Sequence, residues 1–377
     1  MHTSIAKIEE KINTVNQLLS YPLTTPDFLN KKYYPSLDGW RAIAITLVVL
    51  GHAGSSSSPD SGYYIIAKIF FSGLLGVKIF FVLSGFLITS LLIKEKIKYG
   101  SINVKNFFIK RGLRILPVLY LYLLIVFILN NKFDFGLNSI GFLGPALYVT
   151  NFGFFPSSWV LVHTWTLSVE EQFYMLWPFI FRLNKYAIYI CIIIICLSPI
   201  LKPLTYKFPS LNYLLLQPFF NSATSIFTGS LSAFLIFNKH IFKRLIITKV
   251  MAIIAFIFLC VYAYSLSLGI FGKFNLTLGE LVANFSIMYL IIATIVKHDH
   301  FLFKVLNTQL FIKLGTISYS LYIWQQLFLF PLGIYPNWSV YVWFPINIIF
   351  AVLAALVSYY FFEKYFLNLK NKLLRDT

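Results

Sequence analysis

Charged residues are scarce in this sequence. They make up 12% of its 377 residues, against about 25% in a typical soluble domain. A soluble chain of this length needs far more polar surface, so the composition excludes an ordinary cytosolic enzyme, a disordered chain and a secreted disulfide scaffold. Hydrophobic residues make up 58% and are gathered in long apolar runs. This pattern predicts an all-α polytopic membrane protein.

Several chemical signatures are also missing. Cys191, Cys196 and Cys260 lie inside apolar runs and form no CxxC pair, which argues against a disulfide framework or a cysteine metal site. The sequence contains no P-loop, GxSxG or HExxH pattern. The histidines and aspartate at 298–300 are interpreted as a solvated loop. We therefore predict no metal ion.

Hydrophobic spans divide the chain into about ten transmembrane helices. One further segment, 138–156, contains several glycines and prolines and is predicted to be a re-entrant or short broken helix, tolerable only where protein covers it. The spans lie near 39–54, 74–93, 107–130, 162–182, 186–201, 213–237, 249–268, 279–296, 312–332 and 340–363.

Acidic residues are few, so the net charge is +18, from 31 Lys and Arg against 13 Asp and Glu. With alternating spans, 25 of the 31 basic residues fall on the side of both termini, which the positive-inside rule makes the cytoplasm. Basic residues also lie between the apolar spans and not on one polar domain, so we expect no nucleic-acid partner. The six basic residues that fall on the opposite side from the termini are Lys68, Lys78, Lys132, Lys202, Lys207 and Lys273.

The predicted organisation has three parts. Residues 1–35 form a partly amphipathic cytoplasmic segment, 36–366 the transmembrane domain, and 367–377 a basic cytoplasmic tail.

Ionisable side chains within apolar spans are functional candidates. Arg41 and His52 are eleven residues apart, so on a helix they face the same way at a separation of about 16 Å. This suggests an elongated substrate lying along the helix. The alternatives are a topology anchor for Arg41 and a structural role in the core for His52. Asp38 is predicted to cap the helix or pair with Arg41.

Two further segments carry charge. Arg111 and Arg114 share one face near a predicted helix start, where two guanidinium groups suit phosphate, unless they are positive-inside anchors. Glu170 and Glu171 enter an apolar helix shortly after Trp165. Neighbouring side chains diverge by about 100°, so one carboxylate is expected to face a cavity while the other caps the helix or pairs elsewhere.

A polar stripe crosses the span at 312–332. Ser318, Tyr322 and Gln325 recur at helical spacing. The stripe is explained either by a substrate path or by hydrogen bonds between helices.

Five ordered segments together resemble the acyltransferase 3 family of membrane acyltransferases. Together they span about 300 residues, and their occurrence in this order is specific for the family. The segments are 37–44 with His52, 80–88, Arg111-x-x-Arg114-Ile-x-Pro117, 165–174 and 317–324.

This resemblance implies transfer of an acyl group, usually acetyl, from cytoplasmic acyl-CoA to an extracytoplasmic acceptor. The acceptor is commonly a glycan or lipid-linked sugar, such as O-antigen, capsule or exopolysaccharide, and the location is the bacterial cytoplasmic (inner) membrane. Many relatives also carry a fused extracellular domain, and this sequence is expected to act within the membrane domain. Relatives often have histidine where this chain has Gln325. We interpret that position as structural, which leaves His52 as the candidate base.

The expected mechanism follows from acetyl-CoA itself. Arg41, Arg111 and Arg114 would hold its phosphates, and the thin pantetheine arm would reach toward His52. His52 would remove the acceptor proton or carry the acetyl group.

Other side chains are expected to assist. Glu170 or Glu171 would orient the imidazole or the sugar. Tyr319 or Tyr322 would donate to the oxyanion, with Ser318 and Trp165 as further substrate contacts.

Two alternatives remain at this point. One is a secondary transporter or glycan flippase, which would move its substrate without acyl chemistry and without CoA. The single broken segment argues against it, because transporters often have two in matching halves. The other is an unrelated membrane O-acyltransferase with one buried histidine, against which the Arg41/His52 helix and the paired arginines argue.

Overall fold

The structure, a computed structural model, describes residues 22–31, 33–208, 217–297 and 301–373. The predicted amphipathic stretch before residue 22, the loop at 298–300 and the last four residues lie outside these ranges. The described residues form helices and connecting turns without a strand, which confirms the all-α class.

The bundle is built from helices of very different length. They are α1 (Pro35–Ser55), α2 (Gly73–Tyr99), α3 (Val104–Phe133), α4 (Thr164–Phe181), α5 (Lys185–Lys207), α6 (Gln217–Phe237), α7 (Lys249–Leu268), α8 (Glu280–Val296), α9 (Gln309–Thr316), α10 (Ser318–Phe328), α11 (Ile346–Val357) and α12 (Lys364–Leu373).

Shorter pieces connect these helices. The α-helical and 3-10 pieces are Asp27–Leu29, Gly62–Phe70, Ser139–Phe142, Leu143–Ala146, Thr150–Phe152, Trp159–Val162, Lys239–Phe242, Gly272–Phe274, Phe301–Leu306 and Pro336–Ser339, and the π-helical turns are Asn275–Gly279 and Ser358–Glu363.

Within the described residues, helix covers most of each predicted span, but His163 and residues 329–332 and 340–345 are turns or coil. The span at 312–332 divides at Ile317 into α9 and α10. By length and composition, six helical stretches of the described chain could cross a membrane, the first being Gly62–Tyr99. The other helices are shorter or more polar than this criterion allows, so the number of crossings and the side of the termini stay predictions.

The segment at 138–156 is irregular, as predicted. It consists of short helical turns that lie against α4. The Gln172 amide of α4 donates to the Tyr148 carbonyl at 2.9 Å and to the Asn151 side chain at 2.9 Å. These bonds satisfy polar groups of a broken segment that would otherwise be costly inside a membrane.

Helices α2 and α6 make the most extensive helix contact in the bundle. A Cβ atom on Gly85 would collide with the Ile226 carbonyl, and one on Gly229 would collide with the Val82 carbonyl. The two backbones therefore touch, which requires glycine at both positions. Small residues commonly allow such an approach between membrane helices.

One expected position needs correction. Arg111 and Arg114 were expected near a helix start, but α3 begins at Val104, where the Asn103 side chain accepts the Asn106 N–H at 3.0 Å. This cap satisfies a free backbone N–H and moves the helix start about two turns upstream. Both arginines consequently lie inside α3.

Candidate active site

Five helices enclose a cavity of about 90 Å³. Helices α1, α2, α3, α4 and α10 each contribute lining side chains, so the cavity joins segments far apart in the sequence. It brings together most of the predicted site residues. They are Arg41, Arg111, Arg114, Glu170, Ser318, Tyr319 and Tyr322.

The arginines give the cavity its positive charge. Arg41 donates to Asp38 at 2.7 Å, the pairing predicted from their spacing. The Arg111 guanidinium lies 4.3 Å from the centre of the Tyr174 ring, a cation–π contact that orients its plane. Arg111 and Arg114 are neighbours on one face of α3, and both line the cavity.

Asp38 also influences a tyrosine just before α1. Burial, and then the hydrogen bond and charge of Asp38, raise the pKa of Tyr33 to about 12. Its hydroxyl therefore stays protonated at neutral pH. Asp38 is thus associated with two side chains at the start of this helix, Tyr33 and Arg41.

The two adjacent glutamates have different surroundings. Glu170 lines the cavity and accepts a hydrogen bond from Ser84 of α2 at 2.6 Å. Glu171 is absent from the cavity lining, and its buried Oε1 has no hydrogen-bond partner among the described residues. One carboxylate thus lines the arginine cavity and the other does not, as expected for neighbours about 100° apart on a helix.

The cavity tyrosines make bonds between helices. Tyr319 donates to the Ile115 carbonyl at 2.7 Å. Tyr322 lies 2.7 Å from the Thr166 hydroxyl and donates to the His163 carbonyl at 3.1 Å. These contacts match the interhelical alternative for the polar stripe. A role as oxyanion donor would require either hydroxyl to exchange its present acceptor.

His52 of α1 lies outside the cavity lining and contacts Gln325 of α10. Its Nδ1 is 2.8 Å from Oε1 of Gln325, and its ring meets the edge of Trp159 at 5.4 Å between centroids. Tyr322 lines the cavity and is three residues before Gln325, about 4.5 Å along the helix axis. Helix α10 therefore connects the arginine cavity to the imidazole.

The partner of this imidazole differs from the expected one. Glu170 or Glu171 was expected to orient either the imidazole or the sugar, whereas the hydrogen-bond partner of Nδ1 is the side-chain amide of Gln325, 273 residues away in sequence. The Gln325 side chain is fully buried, and its Nε2 has no hydrogen-bond partner within the described ranges. Trp165, another candidate, packs edge-on against Phe81 of the cavity wall at 6.1 Å.

A basic groove of about 980 Å³ adjoins the cavity. It lies between the end of α2 and the start of α3, and Arg111 lines both spaces. The dense run of basic residues at 94–114 is the sequence signal for it, although only Arg111 and Arg114 of that run were predicted to bind phosphate. The basic residues that line the groove are Lys94, Lys98, Lys105, Lys110, Arg111 and Arg182.

Metal ligands are not grouped in the described part of the chain. No cluster of three or more His, Cys, Asp or Glu side chains occurs there.

Sequence comparison identifies relatives among O-acetyltransferases. Peptidoglycan O-acetyltransferase OatA of Listeria monocytogenes is 34% identical over 40% of this chain and 24% of its own length. O-acetyltransferase OatA of Staphylococcus aureus is 27% identical over 88% of this chain and 57% of its own length. A putative O-acetyltransferase of Staphylococcus aureus strain COL is 34% identical over 40% of this chain and 25% of its own length.

This chain therefore spans less than two thirds of the length of these relatives. No solved structure matches it significantly. The family profile described as an acyltransferase domain matches residues 34–363, which include every side chain of the cavity, and the chain belongs to this acyltransferase family.

Proposed function

We propose that this protein is a membrane O-acetyltransferase, which moves an acetyl group from acetyl-CoA on the cytoplasmic side to a hydroxyl of an extracytoplasmic glycan. One observation carries the proposal. A cavity lined by Arg41, Arg111 and Arg114 adjoins a histidine whose Nδ1 is held by Gln325. Family membership and the names of the relatives support the same reaction.

The proposed topology has ten crossings with both termini in the cytoplasm of a bacterial cell. It is supported by the 25 of 31 basic residues that fall on the side of the termini. The basic groove then opens to the cytoplasm, and His52, near the other end of α1, lies toward the outside. The donor and the acceptor would reach the site from opposite faces of the cytoplasmic membrane.

The donor's phosphates would bind in the basic groove and at the arginines. The nucleotide end of acetyl-CoA is polyanionic and cannot enter a bilayer cheaply, whereas its pantetheine arm is thin and nearly neutral. Arg111 lines both the groove and the cavity, so a chain anchored by its phosphates can pass from one to the other. Guanidinium groups suit this task because they bind phosphate oxygens in pairs.

The acetyl transfer would take place at His52. Its Nε2 would accept the proton of the sugar hydroxyl as the oxygen attacks the thioester carbonyl. The C–S bond then breaks, and the CoA thiolate leaves and takes the proton from the imidazolium. An acetyl-His52 intermediate is a second route with the same products. Glu170 lines the same cavity as the arginines, and its negative charge would balance part of theirs.

The acceptor class is a glycan. O-antigen, capsule and exopolysaccharide remain the candidates from the resemblance, and the name of the Listeria relative adds peptidoglycan. All of them present sugar hydroxyls outside the cytoplasmic membrane, where His52 is placed in the proposed topology. Peptidoglycan is the first acceptor to test.

The test uses purified protein in sealed vesicles with acetyl-CoA labelled in the acetyl group outside and glycan fragments inside. We expect label on the glycan with the wild type and with His240→Ala, a substitution of an exposed histidine, and its loss with His52→Ala. Label transferred equally by His52→Ala would overturn the catalytic assignment. Movement of glycan without acetyl-CoA would instead indicate a transporter.

A further inference from the structure

A second cluster of charge lies away from the arginine cavity. Glu280, the first residue of α8, pairs with Lys78 of α2 at 2.7 Å and with Lys202 of α5. All three side chains are less than 10% exposed. Two ammonium groups thus share one carboxylate inside the bundle, and the three side chains carry a net positive charge.

This cluster is costly to bury. Moving an ion out of water costs several kcal/mol even after relaxation, and a pair repays this only with good geometry. Glu280 directly follows the π-helical turn Asn275–Gly279, a type of distortion that is frequent at functional sites. Ionisable groups placed this way in a membrane protein commonly mark a ligand site.

A groove of about 800 Å³ opens onto the cluster. Lys78 and Glu280 line its inner part, and the exposed Lys207 and Lys273 line it as well. The rest of the wall is mainly apolar. Its aliphatic members are Leu74, Leu266, Ile270 and Leu276.

Topology does not account for these lysines. Six basic residues of the chain fall on the predicted extracytoplasmic side, where the positive-inside rule makes them rare. Four of the six, Lys78, Lys202, Lys207 and Lys273, belong to this groove and its ion cluster. Their concentration in one place needs another cause.

We propose that this groove binds a lipid-borne phosphate in the outer leaflet. Lysine ammonium groups bind phosphate as point charges, and the aliphatic wall suits the hydrocarbon next to the headgroup. Anionic headgroups attract basic residues that lie near a membrane surface. The outer position of the groove rests on the topology given under the proposed function.

The groove is also close to the proposed base. Leu74 lines the groove, and a Cβ atom on the preceding Gly73 would lie 4.0 Å from Nε2 of His52. The first turn of α2 therefore separates the two sites. A sugar carried on the bound phosphate would stand beside His52, which assigns the groove to a lipid-linked acceptor. This last step rests on the proposed acetyl transfer.

The test measures lipid binding and not activity. The protein is placed in phosphatidylcholine nanodiscs containing a small fraction of phosphatidylglycerol, and retained lipid is counted by native mass spectrometry. The variant Lys207→Gln/Lys273→Gln removes exposed lysines and leaves the buried ion cluster intact. The control Lys68→Gln/Lys132→Gln removes two exposed lysines of the same predicted side that are absent from the groove lining.

We expect the wild type and the control to retain phosphatidylglycerol selectively. The groove variant should lose about tenfold in apparent affinity, which corresponds to about 1.4 kcal/mol. Equal retention by the groove variant and the control would overturn the proposal, and so would a wild type without selectivity. Displacement of the lipid by millimolar inorganic phosphate would show a site for free anions and reject the lipid assignment.

Acetyl transfer is measured in parallel to separate the two proposals. A wild type that binds phosphatidylglycerol selectively but transfers no acetyl group leaves the groove assignment standing and rejects the enzymatic function. A wild type that transfers acetyl without selective lipid binding rejects the groove assignment alone.

Discussion

Nδ1 of His52 lies 2.8 Å from the side-chain oxygen of Gln325. Because an amide oxygen can only accept, Nδ1 carries the proton of the neutral ring, and the lone pair lies on Nε2. Gln325 thereby fixes both the tautomer and the orientation of the imidazole. This contact gives Gln325 a physical role.

The first prediction concerns this contact. Gln325→Leu keeps the volume of the side chain but leaves Nδ1 without its acceptor, so the ring can rotate or change tautomer. A general base contributes roughly 100- to 10,000-fold, and we expect loss of its orientation to lower kcat about tenfold or more. KM for acetyl-CoA should stay unchanged, because Gln325 is absent from the cavity and groove linings. Steady-state kinetics in vesicles measures both.

Two further variants control this result. Gln325→His restores an acceptor for Nδ1 and should recover part of kcat, whereas Gln309→Leu, at an exposed position, should behave as wild type. A Gln325→Leu protein with normal kcat would show that the contact has no part in positioning His52.

The fold was predictable where apolar length and charge decide it. Within the described residues helix covers most of each predicted span, and the glycines and prolines at 138–156 correctly indicated a broken segment. The interruption at Ile317 and the π-helical turn at Asn275–Gly279 were not predicted, because they are adjustments to neighbouring helices. Local sequence carries little information about such adjustments.

Most cavity residues were predictable from helical spacing and from the family resemblance. Arg111 and Arg114 line the same cavity, as their spacing indicates. The Gln325 contact with His52 and the pairing of Glu280 with Lys78 were missed, because each joins residues about 200 or more positions apart. Hydropathy also hides such residues, since one buried charge barely changes the mean of an apolar span.

The second prediction concerns Arg111. Arg111→Ala removes the one side chain named above that lines both the basic groove and the cavity. A hydrogen bond to a charged group contributes about 1.5–3 kcal/mol, so KM for acetyl-CoA should rise roughly 10- to 100-fold. The change in kcat should be much smaller.

Arg244→Ala is the matched control for this variant, since Arg244 is exposed and absent from both linings. Because salt screens charges in an open groove, the wild-type KM should also rise with ionic strength, and less so for Arg111→Ala. An unchanged KM in Arg111→Ala would exclude this arginine from donor binding.

The third prediction separates the two glutamates. Glu170→Gln removes a negative charge from the lining of the arginine cavity but can still accept the Ser84 hydrogen bond. We expect kcat/KM to fall at least tenfold, because the mutual repulsion of the arginines is then less compensated. Glu171→Gln, outside the cavity lining, should lower it less than threefold. The reverse order in the transfer assay would assign the functional carboxylate to Glu171.

The last prediction tests the contact between α2 and α6. Gly85→Ala places a methyl group against the Ile226 carbonyl, and backbone atoms cannot move aside as a flexible side chain can. Overpacking of this kind typically costs about 1–3 kcal/mol, so the thermal unfolding temperature in detergent should fall by several degrees. Gly229→Ala, which meets the Val82 carbonyl, should have the same effect.

Gly112→Ala provides the control within α3. Its added methyl group would contact only the end of the Leu116 side chain, at 3.4 Å, and alanine favours a helix interior over glycine by about 1 kcal/mol. We therefore expect this variant to unfold at or slightly above the wild-type temperature. If Gly85→Ala and Gly229→Ala unfold there too, the two helix backbones do not touch as the structure shows. Because α2 carries Ser84 of the cavity and Lys78 of the groove, the same variants should also weaken donor and lipid binding.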